Sequence, residues 1–194
     1  MTAPSPPQNL SARSPVVFDL APDDQLFRFY RQGFAPIYFD RSKSGRLNAP
    51  NGEFGVLYAA VTRAGAFAET FLRRAGATLI AADFIAARGL ATLRILQPLK
   101  LAQMFGNGLA KIGATAEVTH SSAPYDVPQD WALQLHAHPG SFDGIAYRAR
   151  HNDSEICVAL FDRAEAKIVE VERQTDLDHD WFYDLADVHG VGVA

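Results

Sequence analysis

Apolar positions in this chain fall into short runs separated by polar breakers. Leu26–Tyr30 (LFRFY) is aromatic and can alternate faces, which predicts a strand. Residues 40–54, DRSKSGRLNAPNGEF, are polar and carry glycine, proline and asparagine, so they predict a loop. Gly55–Ala60 predicts a short buried strand. Thr62 then suits a helix N-cap, with a helix over Arg63–Arg74. In that helix Phe67 and Phe71 lie four apart and make an apolar stripe. At 100° per residue Glu69 sits about 160–200° from the stripe, away from the main buried face. Farther on, the pattern predicts a helical turn and strands at Ala91–Leu96 and Leu99–Met104, a short helix within 106–113, and a helix over Pro128–His138. Strands at Gly144–Arg148, Ile156–Phe161 and Lys167–Glu172 follow, and an acidic, aromatic helix within 176–189. Many short strands with scattered helices predict an α+β fold and exclude a doubly wound sheet. Residues 1–15 hold four prolines and little periodicity, so they predict a flexible arm before a single domain over 16–194.

Composition narrows this picture only slightly. With 48% hydrophobic and 21% charged residues in 194, one sizeable core needs neither a metal nor disulfides. A net charge of −4 argues against tracking nucleic acid directly. The longest apolar window, Leu79–Ala87, is interrupted by Asp83 and too short to span a membrane. The N-terminus lacks a basic start and an apolar stretch, and a cytoplasmic location is expected. The single cysteine, Cys157, fits a reducing compartment and a buried strand position.

Several patterns hint at chemistry without carrying it. Asp176, Asp178 and Asp180 open like a calcium loop, but Trp181 stands where the sharp turn needs glycine. His136 and His138 share a face only on a strand, and no third ligand is near in sequence. Nucleophile-elbow, Walker and dinucleotide-fold glycine patterns are absent. The loop Arg41-Ser-Lys43-Ser-Gly45-Arg46 places three cations among small residues. Arginine forks suit phosphate oxygens, so this loop is a candidate diphosphate cradle, although a solvated basic loop explains the same residues.

Taken in order, the pieces Leu26-Phe-Arg28, Gly45-Arg46-Leu-Asn48, Val56-Leu-Tyr58, Ala66-Phe-Ala-Glu69, Trp131 with Leu135-His136, and Asp143-Gly-Ile-Ala-Tyr147 resemble the RES domain. The resemblance runs from about Leu26 to Phe161, and the eleven-residue step from Tyr58 to Glu69 is among its more specific features. It implies an α+β fold similar to diphtheria-toxin-type ADP-ribosyltransferases, built around two small sheets. It also implies a toxin of a bacterial toxin–antitoxin pair that takes NAD as substrate, without a metal. ADP-ribose would pass to water, phosphate or a protein, and a helix-turn-helix antitoxin would cover the site. The residues fit that chemistry. Glu69 matches the carboxylate that faces charge developing on the ribose. Tyr58 matches the ring that stacks on nicotinamide. Arg28 and Arg46 match the diphosphate clamp. Tyr147 and residue 149 belong to the same NAD-binding pattern.

At residue 149 the chain departs from that pattern. The family's serine in Y-x-S-R is replaced in Tyr147-Arg148-Ala149-Arg150, and alanine offers no side-chain hydrogen bond. Ser154 and Ser141 do not align with it. A weakened enzyme, another polar group in the role, or a substitution that lets a toxin be produced all fit. An RNA-cleaving toxin using Arg41, Lys43 and Arg46, or an inactive nucleotide-binding module, are the competing functions.

Overall fold

A computed structural model describes residues 3–72 and 76–194. Its strands are β1 (Val17–Leu20), β2 (Gln25–Arg31), β3 (Val56–Ala60), β4 (Leu79–Ile80), β5 (Arg88–Ile95), β6 (Leu99–Gln103), β7 (Gly144–Ala149), β8 (Asn152–Phe161), β9 (Ile168–Gln174) and β10 (Gly192–Val193). Its helices are α1 (Arg63–Phe71), α2 (Ala82–Ala86), α3 (Asn107–Ile112), α4 (Glu117–His120), α5 (Asp126–His136) and α6 (Asp180–Val188). The end of the helix expected over Arg63–Arg74 lies outside the described residues. The large sheet runs β1-β6-β7-β8-β3-β2-β5-β9, and β10 pairs with β4 in a small one. The α+β class expected from the sequence is what the structure shows. The large sheet divides at a seam. Strands β2 and β3 share one register pair, Phe27↔Ala60, whereas β2 pairs with β5 along its whole length and β3 with β8. From Phe27↔Ala60 onward β2 and β3 splay apart, and that opening becomes the cleft described below.

Helix α1 follows from the residues around the seam. Thr62 caps it, its hydroxyl accepting from Gly65 N at 2.9 Å. The same hydroxyl donates to the Glu155 carboxylate on β8. Gly65, Ala66 and Ala68 are small and buried, which lets the helix lie close on the sheet. The Phe67/Phe71 stripe meets Phe29 and, from α6, Phe182, with ring centroids 5.0–5.4 Å apart. The acidic, aromatic C-terminal segment thus supplies a lid for that stripe. Because the stripe faces α6, Glu69 is turned the other way, toward β7.

Helix α5 holds the 40–54 loop at two points. Gln129 of α5 is buried, and its Nε2 donates to the carbonyls of Lys43 and Gly45 at 2.9 and 3.0 Å. His136, at the end of α5, stacks on Phe54 with centroids 4.1 Å apart. His138 lies beyond α5 and bonds Leu10 O and Gly140 N. The two histidines therefore serve different contacts. The residues expected as an N-terminal arm lie against α5: Trp131 Nε1 donates to Pro4 O at 2.8 Å, and Leu10 is buried. Cys157 is buried on β8, and burial pushes its thiol well above the ordinary range. No helix among the described residues is long and apolar enough to cross a membrane.

Candidate functional site

Where β2 and β3 part, a cleft of about 820 Å³ opens, and Arg28, Ser44, Arg46, Tyr58, Glu69 and Tyr147 line it together with Tyr125, Arg150 and His151. Arg28 sits at the seam. Its Nη1 donates to the carbonyl of Tyr58 at 2.7 Å, spanning strands that no longer pair. Its Nε is buried without a partner. Burial lowers this guanidinium to about 10, partly offset by the nearby Asp40 and Tyr58. A buried cation with an unused donor is a strong point of attraction for an anion.

Tyr58 is locked at its hydroxyl. The oxygen accepts from Leu47 N at 2.8 Å and the proton goes to Asn48 Oδ1 at 2.9 Å. Burial raises its ionisation far above the ordinary phenol, so it stays neutral. Asn48 is fully buried, and its Nδ2 donates to Asp40 Oδ2 and Ser42 O at 2.9 and 2.8 Å. Every strong polar group of Asn48 is thus used to hold the loop against the Tyr58 ring. Arg46 donates from Nε to Ser121 O at 3.2 Å and has its Cζ 5.9 Å from the Tyr125 ring centroid.

Glu69 is anchored at both oxygens. Oε2 accepts from the Tyr147 hydroxyl at 3.3 Å and Oε1 from Arg150 N at 3.0 Å. The carboxylate is therefore fixed by β7 and the turn after it, with lone pairs to spare for a ligand hydroxyl. Burial, then the neighbouring Glu69, raises the Tyr147 phenol well above its usual range. Arg150 also donates from Nη2 to Ser122 Oγ at 3.1 Å.

The structure brings Arg28, Arg46, Tyr58, Glu69 and Tyr147 to one cleft. Ala149 is different. It ends β7 beside the site, but its side chain is buried in the core cluster and does not form part of the cleft wall. Ser154 is exposed on the adjacent hairpin and Ser141 on a distant turn, so neither supplies a hydroxyl here. The three cations of the 41–46 loop also part company. Arg41 pairs with Asp162 and donates to Gly52 O, and Lys43 reaches Asn51, so of the three only Arg46 lines the cleft. Sequence reasoning missed Arg150 and His151. Their position in the turn straight after the Tyr147 strand was the available clue. Among the described residues no group of three or more His, Cys, Asp or Glu is placed to hold a metal.

A mixed α+β fold with a carboxylate, a locked tyrosine and several arginines around one seam defines the class of this protein. The sequence model of the RES domain matches residues 25–186, and the chain belongs to that family. No curated protein matches it. The chain is similar in fold to a chain of the M. tuberculosis MbcT–MbcA toxin–antitoxin complex, with a TM-score of 0.69 at 14% identity over 93% of this chain and 96% of that one.

Proposed function

We propose that the protein is a toxin that breaks the nicotinamide–ribose bond of NAD. The observation that carries this reading is the convergence of an anchored carboxylate, a locked aromatic ring and the arginines Arg28, Arg46 and Arg150 in one cleft. In the proposed step the bonding pair leaves with nicotinamide, and positive charge develops on the ribose. Glu69 faces that charge and holds a ribose hydroxyl. Tyr58 stacks on the nicotinamide ring, while Arg28, with its unused Nε, and Arg46 take the diphosphate. The oxygen of water, phosphate or a protein side chain then bonds the ribose carbon. The toxin–antitoxin complex named for the similar fold supports an antitoxin partner, here a helix-turn-helix protein that covers the cleft, and the reaction belongs in the cytoplasm. The deciding experiment incubates the purified protein with NAD and follows free nicotinamide. Release supports the reading; RNA cleavage without release, or saturable NAD binding without turnover, replaces it with a nuclease or an inactive binding module. The engagement of Arg41 and Lys43 elsewhere weighs against the nuclease.

Arg46→Ala is expected to raise the NAD concentration for half-maximal rate by roughly tenfold with little change in kcat. A diphosphate clamp holds ground and transition states alike, and a charge-assisted bond contributes about 1.5–3 kcal/mol. Calorimetric affinity equal to the parent's would return this arginine to a loop-holding role.

His151 gives the site a pH dependence. Burial, then the neighbouring Arg150, lowers its ionisation, Glu69 opposes this, and Arg46 and His120 lower it further. It is therefore neutral in the free protein at pH 7. A bound diphosphate adds negative charge and pulls its pKa up, so the affinity for NAD should rise as pH falls from 7.5 to 5.5. Each unit of that upward shift is worth up to about tenfold. Titrations across this range should show the rise in the parent and a flatter profile in His151→Gln.

A further inference from the structure

The wall of the cleft carries one serine among its described residues, Ser44, which also lies between the two carbonyls that Gln129 clamps. Its surroundings fix the direction of its hydrogen bonds. Asp40 accepts from Ser42 at both backbone N (2.9 Å) and Oγ (2.7 Å). Burial alone would raise the Asp40 carboxyl, but the bonds from Ser42, Asn48 and Ser44 hold it below its ordinary value, so it is an ionised acceptor. A hydroxyl has one proton, and that of Ser42 is committed to Asp40. The Ser44 proton is then directed inward, to Ser42 Oγ at 2.7 Å or to the Asp40 carboxylate, and Ser44 N approaches Ser42 Oγ at 3.3 Å. Ser44 has given away its proton toward the loop interior. What its oxygen retains is lone pairs.

Resting on the NAD reading above, we propose that Ser44 is a substrate-binding residue whose hydroxyl oxygen accepts a hydrogen bond from the carboxamide N–H of nicotinamide. Ser44 precedes Gly45, the residue packed against the Tyr58 hydroxyl, and lines the same cleft as the ring on which nicotinamide is proposed to stack. A flat ring seated there presents its substituent to the loop. The relay Ser44–Ser42–Asp40 makes the site selective for a donor, because an acceptor in the same place would meet only lone pairs. The side-chain hydroxyl that Ala149 does not offer is thereby supplied from the 40–54 loop.

The test measures calorimetric affinity for NAD and for its 3-acetylpyridine analogue, which keeps the ring and carbonyl but has no N–H donor. The parent should bind NAD about 3- to 10-fold more tightly than the analogue, the range of one net hydrogen bond. Ser44→Ala should weaken NAD by that factor, leave the analogue unchanged and so abolish the preference, while Ser44→Thr restores it. Ser44 is exposed, so the fold should survive, as thermal unfolding will check. Equal weakening of both ligands, or none, overturns the contact while leaving the NAD reading intact. Failure of the parent to bind NAD overturns both.

Discussion

Glu69→Gln is expected to slow nicotinamide release by a factor on the order of 10²–10³ while NAD affinity stays within a few-fold. The structure makes this substitution unusually clean. Glutamine keeps the shape of the side chain. Its carbonyl can continue to accept from Arg150 N, and its amide can donate to the Tyr147 hydroxyl, which changes from donor to acceptor by rotation. Neither anchor is lost, so the geometry should hold. What disappears is the negative charge that faces the ribose as the glycosidic bond breaks. An interaction made mainly in the transition state lowers kcat more than affinity. Single-turnover release measured beside calorimetric binding separates the two. A variant that retains half of the parent's rate would show that Glu69 is a structural anchor for the β7 turn and that another group faces the ribose.

The position of Glu69 also shows how far a sequence pattern carries. Its angle from the Phe67/Phe71 stripe predicts that it leaves the buried face, yet cannot separate solvent from a cleft. That choice depends on α6, whose Phe182 covers the stripe from more than a hundred residues away and leaves the opposite side to β7. Local signals did well where the physics is local. The Thr62 cap, the strand at 55–60 and the helix within 106–113 all appear at or near their expected bounds. Strands β1, β4 and β10 are short edge elements whose residues show no period, and they exist through their partners. The proline-rich start offers no packing pattern either; Leu10 is buried because α5 and its following turn receive it. The 41–46 cations look equivalent in sequence. They separate in space because Asp162, just past the end of β8, takes Arg41. Asn48 stood within the recognised loop pattern, but its role needs Asp40, Ser42 and Tyr58 placed around it.

That dependence sets up the second large effect, at Gly45. Its requirement is one of space. A Cβ built there would lie 2.1 Å from Asn48 Oδ1 and 2.8 Å from the Tyr58 hydroxyl oxygen. Neither neighbour can yield cheaply. Asn48 is fully buried and tied to Asp40, Ser42 and Tyr58, and the Tyr58 hydroxyl is tied to Leu47 N. Gly45→Ala must therefore push the loop off the ring or break the Asn48 bonds, and each buried polar group left unpaired costs about 1–3 kcal/mol. Stability is expected to fall by about 2–4 kcal/mol, read as a lower urea midpoint with an unchanged m-value. The same displacement moves Ser44 and Arg46, the loop residues in the cleft, and frees the ring on which nicotinamide is proposed to stack. NAD affinity should drop more than tenfold even at temperatures where the variant remains folded. Asn48→Ala should share the loss of affinity, because it removes the same link to Tyr58, and it also removes the nearer of the two clashes, leaving the 2.8 Å approach to the Tyr58 hydroxyl. A double variant, Gly45→Ala with Asn48→Ala, is then expected to lose less than the sum of the two single losses. Additive losses would mean that Gly45 acts through its backbone or another neighbour, and that the loop is held against Tyr58 by something other than Asn48.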